Sequence, residues 1–208
     1  MKINQKKILN TLFTWIFIMK TIVIDVDGVL LNWKSNLPFF MNDIGMAHKL
    51  NDLSLIPTDI RASEMFVNAS NSEIGKLMGA YTEHASARYM PAYEDALECL
   101  TELAKTHKII ALTKFGWSRT AWCNRQFNLN ALFPTLIDEL ISIEFHESKS
   151  KYINEIDNVE YFIDDRIDNI RDVEDNCAGV KCILVERDVN QRDALRVAMK
   201  RHNLFIPM

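Results

Sequence analysis

Ile22-Val-Ile-Asp25-Val-Asp27-Gly28-Val29 is the stretch on which the fold of this 208-residue chain turns. With Thr21 before it, the run Ile22–Ile24 is continuously β-branched, the pattern of a strand buried on both faces. Two carboxylates follow, two positions apart, where such a strand has to end. Gly28 then allows a turn with no Cβ in the way. Neighbouring carboxylates repel, so a cation, a shared proton or divided roles must offset them.

Outward from this strand (21–25), short apolar runs alternate with helical periodicity. Further strands are expected over 108–113, 136–143, 161–164 and 180–185. Helices are expected over 91–105, 117–127, 148–156, 167–176 and 190–202, the first with Pro91 in its opening turn. Strands that alternate with helices form a parallel sheet covered on both faces. The fold class is therefore α/β, a doubly wound, Rossmann-type parallel sheet, and ligands of such sheets bind along the strand C-terminal ends. One segment interrupts the alternation. Residues 31–90 are too many for a bare loop in a compact domain. Ile74, Leu77, Met78, Tyr81 and Ala85 fall at helical spacing, and 36–44 with Pro38 near its start reads as another helix. Residues 31–90 are thus expected to form a small helical cap inserted after the first strand, with 21–30 and 91–208 as the core.

Composition narrows the function classes. Hydrophobic residues make up 48% and charged residues 25%, which excludes a disordered or fibrous chain. The formal charge of −4 gives no global attraction to nucleic acid. Cys99, Cys123, Cys177 and Cys182 show no CxxC spacing, which points to buried thiols and not to a zinc cage or a redox pair. Residues 1–20 have uncertain status. Lys2, Lys6 and Lys7 precede an apolar run over 8–19, as in a signal peptide, but no small-residue cleavage site follows and the run is short for a membrane span. A surface helix, a membrane-touching anchor and a misplaced start with Met19 as the true first residue are the three readings. The last is preferred, and the chain is expected in the cytoplasm with no membrane partner.

Three further segments end in polar residues that suit chemistry: Ile109-Ile-Ala-Leu-Thr113, His146-Glu-Ser-Lys149-Ser-Lys151 and Tyr161-Phe-Ile-Asp164-Asp165. Together with Asp25-Val-Asp27-Gly28, and in this order, they resemble the four motifs of the haloacid dehalogenase-like (HAD) hydrolase superfamily, from residue 21 to about residue 185. The resemblance implies that Asp25 attacks phosphorus to form an aspartyl-phosphate. Asp27 would protonate the leaving oxygen and later activate water. Thr113 and Lys149 would grip the phosphoryl oxygens, helped by backbone N–H groups near Val26 and Lys114. Mg2+ would be held by Asp25, by Asp27 through its backbone carbonyl, and by Asp165, with Asp164 acting directly or through water. The dehalogenases of this superfamily lack a carboxylate at the place of Asp27, because a halide needs no proton, so Asp27 favours phosphoryl transfer to water.

Each residue has a plainer reading. Asp25 to Gly28 could be a turn, Thr113 a helix cap, and Lys149 a solvated lysine with Lys151 as its competitor. Asp164 and Asp165 could cap the helix that starts near Ile167. Asp168 and Arg171 read as a solvated helix face, and His146 as a structural loop histidine. The ordered series weighs against these readings for the motif residues.

For the cap, Trp33, Phe39, Phe40, Tyr81, His84 and Arg88 are candidates to line a substrate pocket, although aromatic residues at helical spacing more often pack a cap's own core. Phe162-Ile-Asp164-Asp165-Arg166 is similar to the fourth motif of the 5′(3′)-deoxyribonucleotidases, which implies a nucleoside monophosphate. The expected partner is a small phosphorylated substrate. Two other classes compete: a catalytically silent module that binds a phosphorylated ligand, and a nucleic-acid end phosphatase. The latter needs a basic track, for which Lys114, Arg119 and Arg125 are the candidates, though their spacing is equally that of a solvated helix face.

Overall fold

The computed structural model describes residues 19–53, 62–187 and 191–204. The readings of residues 1–18 and the first residue of the expected last helix lie outside these. The elements are β1 (Lys20–Ile24), α1 (Leu37–Asp43), α2 (Ala62–Met65), α3 (Asn71–Glu83), α4 (Ala96–Leu103), β2 (His107–Lys114), α5 (Arg119–Leu132), β3 (Glu139–Ile143), α6 (Lys149–Ile153), β4 (Val159–Asp164), α7 (Ile167–Asn176), β5 (Lys181–Leu184) and α8 (Ala194–Arg201). Short 3-10 turns occupy Ala47–Lys49 and Ala85–Tyr89.

The five strands form one parallel sheet in the order β3-β2-β1-β4-β5. The chain steps outward from β1 to one edge, then crosses back and steps to the other. Strand β1 therefore stands where the winding reverses, which is where such sheets open a crevice at their C-terminal ends. The alternation of side chains explains the two covered faces. Ile22, Ile24, Ile109, Ala111 and Ile163 belong to one buried cluster, which also takes in α4, α8 and residues of the insertion. Val23, Ile110, Leu112 and Phe162 belong to the other, covered by residues of α6 and α7.

Several boundaries differ from expectation. The helix expected from Pro91 starts at Ala96. Before it, Ala92 bridges antiparallel to Leu31, and the N–H groups of Asn32 and Tyr93 donate to the carbonyls of Pro91 and Leu30 at 3.0 Å each. Residues 91–93 are thus spent on tying the return chain to the chain that leaves β1. The strand expected from 136 starts at Glu139, because Leu136 and Ile137 turn inward to pack on the larger cluster. The helix expected over 117–127 runs from Arg119 to Leu132, capped by the Ser118 hydroxyl, which accepts from Ala121 N–H.

Residues between β1 and α4 carry α1, α2 and α3. Helix α3 opens with a reciprocal capping box: Ser70 Oγ accepts from Glu73 N–H and the Glu73 carboxylate accepts from Ser70 N–H. Its buried face is Ile74, Leu77 and Tyr81, while Ala85 falls past its end in a 3-10 turn. The Phe40 ring packs between Tyr81 and His84, with centroids 5.4 and 5.3 Å away. Of the cysteines, Cys99 and Cys177 are buried and Cys182 is half-buried; Cys123 is exposed, against the expectation of four buried thiols.

Candidate active site

Strand β1 delivers Asp25 to the C-terminal edge of the sheet, where its N–H still pairs with Ile163 O of β4 at 2.8 Å. The buried Asp25 carboxylate accepts from Val26 N–H at 2.7 Å and lies 3.0 Å from Lys149 Nζ. Lys149, the first residue of α6, is wholly buried and also donates to Asp164 Oδ2 at 2.7 Å. Asp164 further accepts from Asn169 Nδ2, at 3.0 Å to each oxygen, and from Arg166 N–H at 2.8 Å. On either side two buried polar atoms have no hydrogen-bond partner: Thr113 Oγ1 and Asp165 Oδ1. Gly28, at φ +89°, allows Asp165 its place, since a Cβ there would meet Asp165 Oδ2 at 2.0 Å.

Carboxylate oxygens of Asp25, Asp164 and Asp165 all lie within 4.8 Å of one another. Burial raises the Asp25 carboxyl; Lys149 opposes this, Asp164 and Asp27 add to it, and the result is about 7. Asp165 is pushed well above the carboxylate range by burial, with Asp164 and Asp25 adding to the effect. Burial alone would favour neutral Lys149, yet Asp164 and Asp25 outweigh it and shift it upward. Lys114 moves down, through burial and then the charge of Lys149. Three carboxylates facing one ammonium leave an excess of two negative charges when all are ionised. A hard divalent cation with oxygen ligands fits that excess and the unpartnered Asp165 Oδ1. Asp25 and Asp165 would hold it, while the oxygens of Asp164 are already engaged by Lys149, Asn169 and Arg166 N–H.

The site floors a cavity of about 590 Å³. Asp25, Asp27, Thr113, Lys114 and Asp165 line it from the strand ends and the turns after them, Lys149 from the start of α6, and Trp33, Ile74, Met78 and Tyr81 from the insertion. No family model matches the sequence. A structure of a haloacid dehalogenase-like family hydrolase from Streptococcus pneumoniae superposes with a TM-score of 0.57 over 86% of this chain and 90% of that one, at 13% identity. The fold is that of the haloacid dehalogenase-like hydrolases. A haloacid dehalogenase-type hydrolase of Bacillus subtilis, solved with magnesium bound, gives 0.52 over 80% and 88% at 14% identity. A defluorinating L-2-haloacid dehalogenase gives 0.50 over 85% and 86% at 11% identity. By sequence, the chain is 36% identical over 149 residues to an uncharacterized 32.4 kDa protein encoded in the Gp30-rIII intergenic region of Enterobacteria phage T4. The match covers 70% of this chain and 53% of the phage protein, so the chain spans about half the length of that relative.

Within this haloacid dehalogenase-like frame, Asp25, Asp27, Thr113, Lys149 and Asp165 line one cavity, and Asp164 is buried behind Lys149. Lys151, the alternative to Lys149, is 63% exposed and pairs with Glu147. Arg125, read as part of a solvated face, is instead buried and forms a two-pronged ion pair with Asp27. Lys114 is half-buried and donates to Asn169 Oδ1 at 3.1 Å, and Arg119 is exposed, so the three do not form a track. Asp168 and Arg171 are exposed, but Asp168 lines the cavity. His146 is exposed.

Of the cap candidates, Trp33 and Tyr81 line the cavity. Phe39 is exposed, Phe40 and His84 pack within the insertion, and the Arg88 guanidinium lies 3.9 Å from the centre of the Phe127 ring. Sequence reasoning missed Asn169, and it named Arg125 only for a basic track or a solvated face, not for its pair with Asp27. Asn169 was findable as the polar residue on the first turn after Asp164-Asp165. The burial of Arg125 follows from the inward face it shares with Ala121, Asn128 and Leu129, but nothing local in the sequence names Asp27 as its partner.

Proposed function

We propose that the chain is a Mg2+-dependent phosphatase that hydrolyses a small phosphomonoester through an aspartyl-phosphate on Asp25. The observation that carries this reading is the pairing of Asp25 and Lys149 at the cavity floor beside two unsatisfied buried atoms, Thr113 Oγ1 and Asp165 Oδ1. An orphaned hydroxyl is an unused donor, and a phosphoryl oxygen would satisfy it. Asp25 attacks phosphorus while Thr113 and Lys149 hold the non-bridging oxygens. Asp27 gives its proton to the leaving oxygen, then takes one from the water that cleaves the aspartyl-phosphate. When bound, Mg2+ supplies charge neutralisation at the phosphoryl group. Asp27 also argues against a dehalogenase, in which the leaving group needs no acid. The four free thiols fit a reducing compartment, in keeping with the cytoplasm.

The walls suggest the leaving group. Trp33, Met78 and the half-exposed Phe145 offer flat or pliant apolar surface, and Asn71 and Thr82 add hydrogen-bonding capacity. A nucleoside monophosphate matches that mixture. Hydrolysis of an aryl phosphate with Mg2+, and its loss in chelator, is the first expected result. Asp25→Asn should abolish turnover with an unchanged circular dichroism spectrum. Wild-type turnover in that variant would remove Asp25 as nucleophile, and a panel of nucleotides and sugar phosphates would rank the leaving groups.

A further inference from the structure

Helix α5 carries an arginine into the cavity beside Asp27. Arg125 is 4% exposed and Asp27 25% exposed at their side chains. The Nη1 and Nη2 atoms of Arg125 donate to Oδ1 and Oδ2 of Asp27 at 2.5 and 2.9 Å, with Phe115 beneath the guanidinium at 5.6 Å. A fork-to-fork pair fixes the plane of a carboxylate and not just its distance. The helix bearing the fork is itself anchored. Asn124 Nδ2 donates to the carbonyls of Thr82, Glu83 and His84 at 3.3, 3.1 and 3.3 Å, and Asn128 Nδ2 to Met90 O at 2.9 Å. Arg125 is thus held between two side chains that grip the C-terminal end of α3 and the chain at Met90 that returns from the insertion.

We propose that Arg125 is a positioning residue for the two proton transfers of Asp27, which its fork aims into the cavity. The proposal rests on the phosphatase reading. In the first step the Asp25–phosphorus bond forms as the phosphorus–oxygen bond to the leaving group breaks; the electron pair stays on that oxygen, which takes the Asp27 proton. Asp27 is then ionised against the guanidinium. In the second step Asp27 takes a proton from water, the water oxygen bonds to phosphorus, and the bond to Asp25 breaks. The outward lone pairs of Asp27 serve both transfers, while its inward ones stay on Arg125. Without the fork, the carboxyl group is free to rotate away from the bridging oxygen.

The test is single-turnover release of the leaving group from a series running from p-nitrophenyl phosphate to alkyl phosphates. A poor leaving group depends on the acid and a good one scarcely does. Arg125→Gln should slow alkyl release by about 10- to 100-fold and p-nitrophenol release far less. Arg125→Lys keeps the charge but not the fork, so it should resemble Arg125→Gln and not the wild type. In an Asp27→Asn background, Arg125→Gln should add no further loss. Equal slowing of every ester, or losses that multiply in the double variant, would overturn the proposal and leave Arg125 a packing residue. If Arg125→Gln alone does not fold, the Asp27→Asn/Arg125→Gln pair strands no charge; its comparison with Asp27→Asn alone then decides by the same criterion. Wild-type protein with no phosphatase activity on any ester would overturn the phosphatase reading itself, an outcome distinct from active enzyme with uniform slowing.

Discussion

Gly28 shows how much of the site rests on single residues. Its positive φ serves the turn, but the closer constraint is Asp165, whose carboxylate occupies the space a Cβ would need. Gly28→Ala is expected to cost about 1–3 kcal/mol in strain and to push Asp165 out of the carboxylate cluster. Calorimetric titration with Mg2+ should show weakened binding; unchanged binding would mean that Asp165 is not a ligand. Acidity gives a second prediction. Folded Asp25 keeps its proton up to about pH 7, against an ordinary value of 3.8, and Asp165 shifts the same way. Between those values Asp25 and Asp165 hold protons in the folded state that they lose in the unfolded one, so their contribution to stability without a divalent cation falls as pH rises through that window and levels off above it. Cation binding needs ionised carboxylates, so its stabilisation grows over the same window. In chelator, melting should be higher at about pH 5 than at about pH 8, and added Mg2+ should raise the midpoint more at the higher pH. The two aspartates after β1 were legible because their meaning is local: a strand, a turn, two charges. Arg125 was not, because its partner lies 98 positions away and only the packed helix brings them together.

At the scale of elements, the strands read well and the helix starts less so. A run such as Ile109–Leu112 has one plausible fate, burial on both faces, and it meets it. Pro91 fits either a helix start or an extended segment, and only its pairing partners around Leu31 decide in favour of the second. Helix α5 is the element whose role sequence conceals most, because its inward face is polar: Asn124, Arg125 and Asn128 are all buried. Asn124 satisfies carbonyls at the end of α3 that would otherwise lack intrahelical donors. Asn124→Ala should therefore loosen the last turn of α3 and the 3-10 turn after it. Hydrogen exchange should quicken across residues 80–90 while the sheet stays protected; unchanged exchange there would show that the insertion is held by packing alone.

Across the whole molecule, the chain that leaves β5 comes back to the turn that follows β1. Arg187 donates to the carbonyls of Gly28 and Val29 at 3.1 and 3.0 Å and to Asp95 Oδ1 at 3.0 Å, with both side chains wholly buried. Asp95 also accepts from Arg196 N–H at the start of α8. One guanidinium thus joins the Gly28 turn, the entry to α4 and the last strand connection. Arg187→Met leaves Asp95 buried without its cation and is expected to cost about 3–5 kcal/mol in urea unfolding. A loss below about 1 kcal/mol would mean that Asp95 finds another partner on relaxation. Nothing in the sequence near Arg187 signals this role, since a lone arginine after a strand is ordinarily solvated.

The strand order has a last consequence. The acidic and hydroxyl groups of the cavity floor sit at the ends of β1, β2 and β4, the three middle staves of the sheet, while the residues of β3 and β5 themselves supply none. Reactivity is therefore gathered at the middle of the sheet, and the perimeter reaches it only through what leaves the outer strands: Lys149 beyond β3 and Arg187 beyond β5.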